Sequence, residues 1–331
     1  MKQTLTYLFE QNTLSQADAR AILARIGQGE FSESEIASFL TVFLMRKITS
    51  DELAGFREAL LDLCVPVDLK GYNTIDVCGT GGDEKNTFNI STASAFVLAG
   101  AGVKVVKHGN YGVSSSCGSS NVLEHLGYKF SNDIEKIKTE LESSNICYLH
   151  APFFHPAMKH VGTVRKSLKV RTFFNLLGPL VNPSKPKNQI VGVFNQEVQK
   201  LYQGVYKNLD MNYSILHNLD GYDEISLTDS FRAITQIEDK IYSPADFGFD
   251  AVKAETLHGG DSIPEAADIL TGVLSGSGTT EQTNVVVANT AMGLQCYYPG
   301  KSLAEAIEMA QESIKSGKAI EALNKLITLQ K

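Results

Sequence analysis

Residues 74–92 read TIDVCGTGGDEKNTFNIST, and they decide the fold. Thr74–Cys78 is a short apolar run of strand character, and Ser91–Gly100 continues as an alanine-rich helix. Between them lies the glycine loop Gly79–Asp83. Glycines after a strand let backbone N–H groups approach an anion closely, and the helix start at Ser91 and Thr92 adds a dipole and hydroxyl donors. The loop is not a P-loop, since no Gly-Lys-Ser/Thr follows, nor a dinucleotide fingerprint, since the third glycine position is Glu84. Taken alone it also reads as a tight strand-to-helix turn. Asp83 bears on that choice: a carboxylate in a phosphate cradle is repulsive unless a metal, a water or a ligand hydroxyl offsets it.

Outward from this stretch, strand and helix alternate. Val103–Lys107 and Ile146–Leu149 read as strands with a helix over Asp133–Ser143, and Gln189–Phe194 and Tyr213–Leu216 flank a helix over Gln196–Asn208. The alternation implies an α/β domain whose mostly parallel sheet is flanked by helices. Phe231–Ile237 and Lys240–Tyr242 suggest an antiparallel excursion, and the last 70 residues read as largely helical, with apolar periodicity at Pro264–Leu274 and Leu303–Ile314. Residues 1–65 read as helices only. Ser32 with Glu35, and Thr49 with Glu52, are capping boxes ahead of apolar stripes, and Pro66 closes the last of them. Those stripes need a partner: one another, the rest of the chain, or a second copy. The expected division is a helical domain over 1–70, with a returning part near 155–180, and an α/β domain over 71–331.

Composition narrows the function. The 331 residues are 43% hydrophobic and 20% charged, enough for a large core and about two domains. With 30 Lys+Arg against 37 Asp+Glu, the net charge of −7 argues against a nucleic-acid or anionic-membrane surface. No apolar run approaches the roughly 20 residues that span a bilayer, and the N-terminus lacks a signal-peptide pattern. The five cysteines are widely spaced with no CxxC pair, which suggests free thiols in a reducing cytoplasm.

In an open parallel sheet, ligands gather at the carboxyl ends of strands. Two loops rich in anion-binding character, Gly79–Asp83 and Lys107–Asn110 (KHGN), follow the first two strands. The second continues through Tyr111, Gly112 and Val113 into serines, and taken alone it also reads as a solvated linker. Asp220–Ser226 (DGYDEIS) places Asp223 beside Glu224. On a strand they would face opposite ways, so both reach one site only from a loop. Oxygen-only ligands favour Mg²⁺. Alone, the pair reads more readily as an acidic surface turn. Arg165, Lys166, Lys169 and Arg171 form a basic cluster, in which an arginine could grip a carboxylate by two parallel bonds. His150, His155 and His160 recur every five residues, which puts no two on one helix face and rejects a zinc cluster.

Together these motifs resemble the anthranilate phosphoribosyltransferase family over almost the whole chain. The carriers are GTGGD at 79–83, NIST at 89–92, KHGN at 107–110, HPAMKHV at 155–161, VRKSL at 164–168, RTFFNLLGPLVNP at 171–183 and DGYDEIS at 220–226. The resemblance implies a nucleoside-phosphorylase-like fold and a step of tryptophan biosynthesis. Phosphoribosyl pyrophosphate and anthranilate would give N-(5-phosphoribosyl)anthranilate and pyrophosphate. It implies a homodimer joined through the helical parts. Carried over position by position, it assigns Gly79, Gly82, Asp83, Thr87, Asn89, Ile90, Ser91 and Thr92 to the phosphoribosyl pyrophosphate. So too Lys107, His108, Gly109, Asn110, Tyr111, Gly112, Val113, Ser114, Ser115 and Ser119. Gly79, Asn110 and Arg165 would contact anthranilate, with His108 and His155 as candidates to line the aromatic channel. Ser91, Asp223 and Glu224 would bind Mg²⁺. No general acid or base is assigned. The family commonly has Arg and a small residue after KHGN, whereas Tyr111 and Gly112 stand here, a change that would remove one cation near the pyrophosphate. Cys117 sits where a serine is frequent. The rival readings are a pyrimidine nucleoside phosphorylase-like enzyme and a non-catalytic nucleic-acid-binding relative.

Overall fold

The computed structural model describes residues 1–112 and 117–330. In chain order the helices are α1 (Lys2–Phe9), α2 (Gln16–Gly27), α3 (Glu33–Met45), α4 (Ser50–Leu63), α5 (Ile90–Gly100), α6 (Ser119–His125), α7 (Ile134–Ser144), α8 (Ala151–Phe154), α9 (Lys159–Leu168), α10 (Gln196–Tyr206), α11 (Ile263–Leu274), α12 (Thr280–Tyr297), α13 (Leu303–Lys315) and α14 (Lys318–Thr328). The strands are β1 (Ile75–Gly79), β2 (Val105–Gly109), β3 (Ile146–His150), β4 (Asn188–Gly192), β5 (Asn212–Asn218), β6 (Phe231–Thr235) and β7 (Asp239–Tyr242). Two compact units result: Met1–Val67 with Ala151–Lys185 and Leu201–Leu209, and Asp68–His150 with Pro186–Lys200 and Asp210–Lys331. Among the described residues no helix is long and apolar enough to cross a membrane.

The first unit is helical. Both capping boxes form, at Ser32/Glu35 and Thr49/Glu52. Glu52 does more than cap. It is fully buried, accepts from the backbone N–H of Leu14 at 2.9 Å and from Thr49 at 2.9 Å, and takes the Arg46 guanidinium on both oxygens. Burial pushes its pKa up, but the guanidinium and the backbone donors outweigh that and hold it below the usual value. Beside this pair, Phe39, Phe43 and Phe56 pack with Phe173 of the returning segment, Phe56 and Phe173 stacked at 4.4 Å. Truncating a ring such as Phe56 would cost about 3–5 kcal/mol. The segment Leu201–Leu209, the last part of α10 and the turn after it, was not expected in this unit.

The second unit carries a seven-stranded sheet in the order β3-β2-β1-β4-β5-β6-β7. Strands β1 to β5 pair in parallel, while β6 and β7 run antiparallel, the expected excursion. The order reverses between β1 and β4, where Gly79 pairs with Gly192. Helix α5 is buried almost all round, from Ile90 through Ala99, among α11, α12, α13 and α14. Its alanines permit close approach: a Cβ on Gly100 would stand 2.4 Å from Ser313 Oγ. Helix α12 is buried from Val285 to Leu294, which is why it shows no amphipathic period.

Candidate active site

The site begins at the carboxyl end of β1. Thr80 still donates to the Gly192 carbonyl at 2.9 Å, and then Gly81 and Gly82 turn with φ of 66° and 86°. A left-handed backbone there suits glycine. The turn aims the Gly81 N–H at Asp223 Oδ2, 2.5 Å away. Gly79 is glycine for space, since a Cβ would lie 2.3 Å from Asp223 Oδ2. Asp83 Oδ1 accepts from the Lys85 N–H at 3.2 Å, whereas its buried Oδ2 meets no donor among the described residues. Thr87 bridges to His258. Lys85 stands 4.7 Å above the Tyr222 ring, a second link between the glycine loop and the acidic segment.

The start of α5 supplies the next element. The Ser91 N–H donates to Glu224 Oε1 at 2.8 Å, so the positive end of the helix faces a carboxylate. Asn89 does not cap the helix with its side chain. Its Nδ2 instead donates to the Cys117 carbonyl at 3.2 Å, joining the first loop to the second. Ile90 and Thr92 are buried, and Ile90 belongs to the hydrophobic core.

At the end of β2, Lys107 is buried. Its Nζ donates to the Val77 carbonyl at 2.6 Å and lies 3.3 Å from Ser91 Oγ. Desolvation lowers its pKa, opposed by Cys78, Asp76 and Glu224. His108 is also buried, and its N–H donates to Asp76 Oδ1 at 3.2 Å. Gly109 lies against the Tyr148 hydroxyl, which bonds Ser119 Oγ at 2.7 Å and Ser120 Oγ at 2.9 Å. Asn110 accepts the Ser120 N–H at 3.3 Å through its carbonyl. Tyr111 turns to other partners: its ring meets His150 edge-on at 4.9 Å and its hydroxyl reaches Glu124 at 3.3 Å. The Gly112 N–H donates to Asn121 Oδ1 at 3.1 Å. Val113, Ser114 and Ser115 lie outside the described residues.

The third segment, 219–230, leaves β5 as a loop, so the neighbours Asp223 and Glu224 both turn to the strand ends. Burial raises the Asp223 pKa well above the usual range, with repulsion from Glu224 and then Asp83 adding to it. Glu224 is pushed up to about 7 by burial, against the Ser91 donors and Lys107. Asp83, Asp223 and Glu224 thus crowd one partly buried corner, with the Lys107 ammonium acting on Glu224. That surplus of negative charge is what a divalent cation would offset, so the residues fit the group. Among the described residues no three such side chains form a self-sufficient metal cage. Mg²⁺ does not need one, because it takes one or two carboxylates and completes its shell with phosphate and water.

Arg165 and His155 belong to the first unit. Arg165, on α9, stands 5.4 Å over the Phe174 ring, and desolvation lowers its pKa. Burial lowers the His155 pKa to about 4, against a hydrogen bond from the imidazole to the Val181 backbone.

Sequence reasoning missed Gly81, Gly192 and Asn289. Gly81 stood inside the quoted loop. Gly192 ends a strand with no motif around it, and a Cβ there would fall 1.4 Å from the Asp223 carbonyl oxygen.

A helical first unit, a sheet with its site at the β1/β4 reversal, and an acidic loop after β5 define a class. The chain belongs to the glycosyl transferase family, whose helical bundle domain matches residues 2–64 and whose a/b domain matches 71–320. The anthranilate phosphoribosyltransferase of Flavobacterium psychrophilum is 54% identical over 326 residues, 98% of each chain. Within that class, the chain is a member of the anthranilate phosphoribosyltransferase family. The anthranilate phosphoribosyltransferase structure from Thermus thermophilus superposes with a TM-score of 0.93 at 30% identity, covering 98% of both chains. That from Saccharomyces cerevisiae, in complex with PRPP and Mg, gives 0.92 at 28% identity, covering 100% of this chain and 98% of the other.

Proposed function

We propose that this chain transfers the phosphoribosyl group of phosphoribosyl pyrophosphate to anthranilate, giving N-(5-phosphoribosyl)anthranilate and pyrophosphate in tryptophan biosynthesis. The observation that carries the reading is the meeting of three distant segments, through the Gly81 N–H on Asp223, the Ser91 N–H on Glu224 and the Lys107 ammonium on Ser91 Oγ. The amine lone pair forms the new bond to the anomeric carbon as the carbon–oxygen bond to pyrophosphate breaks, and the nitrogen then sheds its proton. An aromatic amine is unprotonated near neutral pH and needs no strong base. The harder part is the departing charge, and the groups of this site answer to it.

Mg²⁺, held by Asp223, Glu224 and Ser91, would supply neutralisation of the pyrophosphate. Lys107 fixes the Ser91 hydroxyl and adds a buried positive charge beneath the helix start. Gly79, Gly82, Asp83, Thr87 and the segment Asn89–Thr92 line the phosphoribosyl pyrophosphate, as do residues 107–115 and Ser119. Ile90 does so through its backbone, since its side chain is in the core. Tyr111 contributes as an anchor of its loop on His150 rather than as a phosphate-binding cation. Gly79, Asn110 and Arg165 receive anthranilate, Arg165 at the carboxylate, with His108 and His155 along its path. Catalysis is by orientation and charge stabilisation without a covalent nucleophile.

The chain acts as a homodimer through its helical unit. Tyr7 and Phe9 on α1, with Leu44 and Met45 at the end of α3, are exposed apolar side chains of that unit, Met45 at 80%. The described cysteines are all free, in keeping with a cytoplasmic enzyme. A fluorescence assay of anthranilate consumption tests the reading. Signal loss requires both phosphoribosyl pyrophosphate and Mg²⁺. Consumption without either, or turnover of a nucleoside with phosphate instead, refutes it.

A further inference from the structure

We infer that Asn289, on α12, is a positioning residue for the carboxylate pair, an inference that rests on the metal-binding reading above. Asparagine is a poor helix former, and a buried carboxamide is costly unless its groups are bonded. Asn289 nevertheless sits mid-helix and is buried. Its Oδ1 accepts the Ile225 N–H at 3.2 Å, and its Nδ2 donates to the Ile225 carbonyl at 2.8 Å and to the Val285 carbonyl at 2.9 Å. One side chain thus holds both backbone groups of the residue that follows Glu224.

The two-point grip answers a geometric problem. Asp223 and Glu224 are adjacent, and an extended backbone would send them to opposite sides. Here the peptide between them packs on Gly192, leaving no room for a Cβ, and the backbone after them is clamped by Asn289. Fixed at that peptide and at Ile225, the segment presents Asp223 to the Gly81 N–H and Glu224 to the Ser91 N–H. The bonds of the Asn289 side chain go to the backbone of Ile225 and Val285 and not to the carboxylates. It acts through Ile225, whose own side chain is fully buried in the core.

The test uses the full chain with Mn²⁺ as probe. Free Mn²⁺ is followed by electron paramagnetic resonance in the presence of phosphoribosyl pyrophosphate against a protein-free blank. Asn289→Leu keeps the volume and removes the grip. It should weaken Mn²⁺ binding at least tenfold and raise the Mg²⁺ needed for half-maximal turnover by a similar factor, with the anthranilate KM within twofold of the parent. Val286→Ala, which opens a cavity in the same helix, should lower Tm without moving either metal readout. Should Asn289→Leu fail to fold, Asn289→Ala is read by the same criteria. Mn²⁺ affinity within twofold of the parent overturns the assignment, and so does an equal loss in Val286→Ala. The Asp223→Asn, Glu224→Gln double variant separates the two levels. If the parent binds Mn²⁺ no better than this variant, the metal reading fails and the Asn289 assignment falls with it.

Discussion

Gly192 and Asp223 are in backbone contact so close that a Cβ on residue 192 would stand 1.4 Å from the Asp223 carbonyl oxygen. Gly192 pairs with Gly79 across β1 and β4, and Gly79 faces the Asp223 carboxylate in the same way, at 2.3 Å. Two glycines on adjacent parallel strands form the seat of the acidic loop. Gly192→Ala must therefore push that loop away. A misplacement of about 1 Å costs roughly 100-fold in rate. We expect kcat to fall by about that factor while far-ultraviolet circular dichroism stays native. Unchanged kcat in a folded variant would refute the seat.

Arg165 tests the division of labour between the units. A guanidinium bonded to a carboxylate is worth about 1.5–3 kcal/mol, so Arg165→Ala should raise the anthranilate KM on the order of 10- to 100-fold. The KM for phosphoribosyl pyrophosphate should hold. Arg165→Lys should recover only part of the loss, because an ammonium cannot offer the two-pronged grip. Steady-state kinetics with each substrate varied in turn decides it, and equal weakening toward both contradicts the assignment.

His155 gives the first unit an acid-sensitive point. Its folded pKa is about 4 against about 6.5 for a free histidine. The folded state thus binds fewer protons than the unfolded state between those values. The contribution is fully present above pH 6.5 and is lost as pH falls toward 4, about 1.4 kcal/mol per unit and about 3 kcal/mol in all. Urea unfolding from pH 4.5 to 7.5 should show this slope flattened in His155→Asn. Parallel slopes in the two proteins would exclude it.

The exposed apolar ends of α1 and α3 make a prediction about assembly. Phe9→Asp with Met45→Asp places two charges where a second copy is proposed to sit. The parent should sediment as a dimer and the double variant as a monomer of 36.0 kDa. A parent that is already monomeric at micromolar concentration would remove this part of the proposal.

The parallel sheet was legible because strand and helix periods alternate clearly from Thr74 onward, and the antiparallel hairpin because Phe231–Tyr242 interrupts them. Helix α12 was legible only as part of a largely helical stretch, since a helix buried on every side has no polar face to set a period. The serine run after Gly112 read as loop, hiding α6, whose N-terminal serines are occupied by the Tyr148 hydroxyl. At the site, motifs pointed to Asp223, Glu224, Ser91 and Lys107. The Lys107 ammonium also lies against the Val77 carbonyl, a partner that only the register of neighbouring strands can bring to it. Asn289 and Gly192 were invisible, because each acts on backbone atoms of a distant segment and leaves no local pattern.

The first unit draws on three stretches of chain, the last ending at Leu209. On the ribosome its four opening helices emerge early, but they wait for that stretch before their packing is complete. Strands β1 to β4 appear in the meantime. Synthesis therefore exposes unfinished surfaces of both units at once, and a cut at any single peptide bond between 68 and 209 would leave neither of them whole on its own fragment.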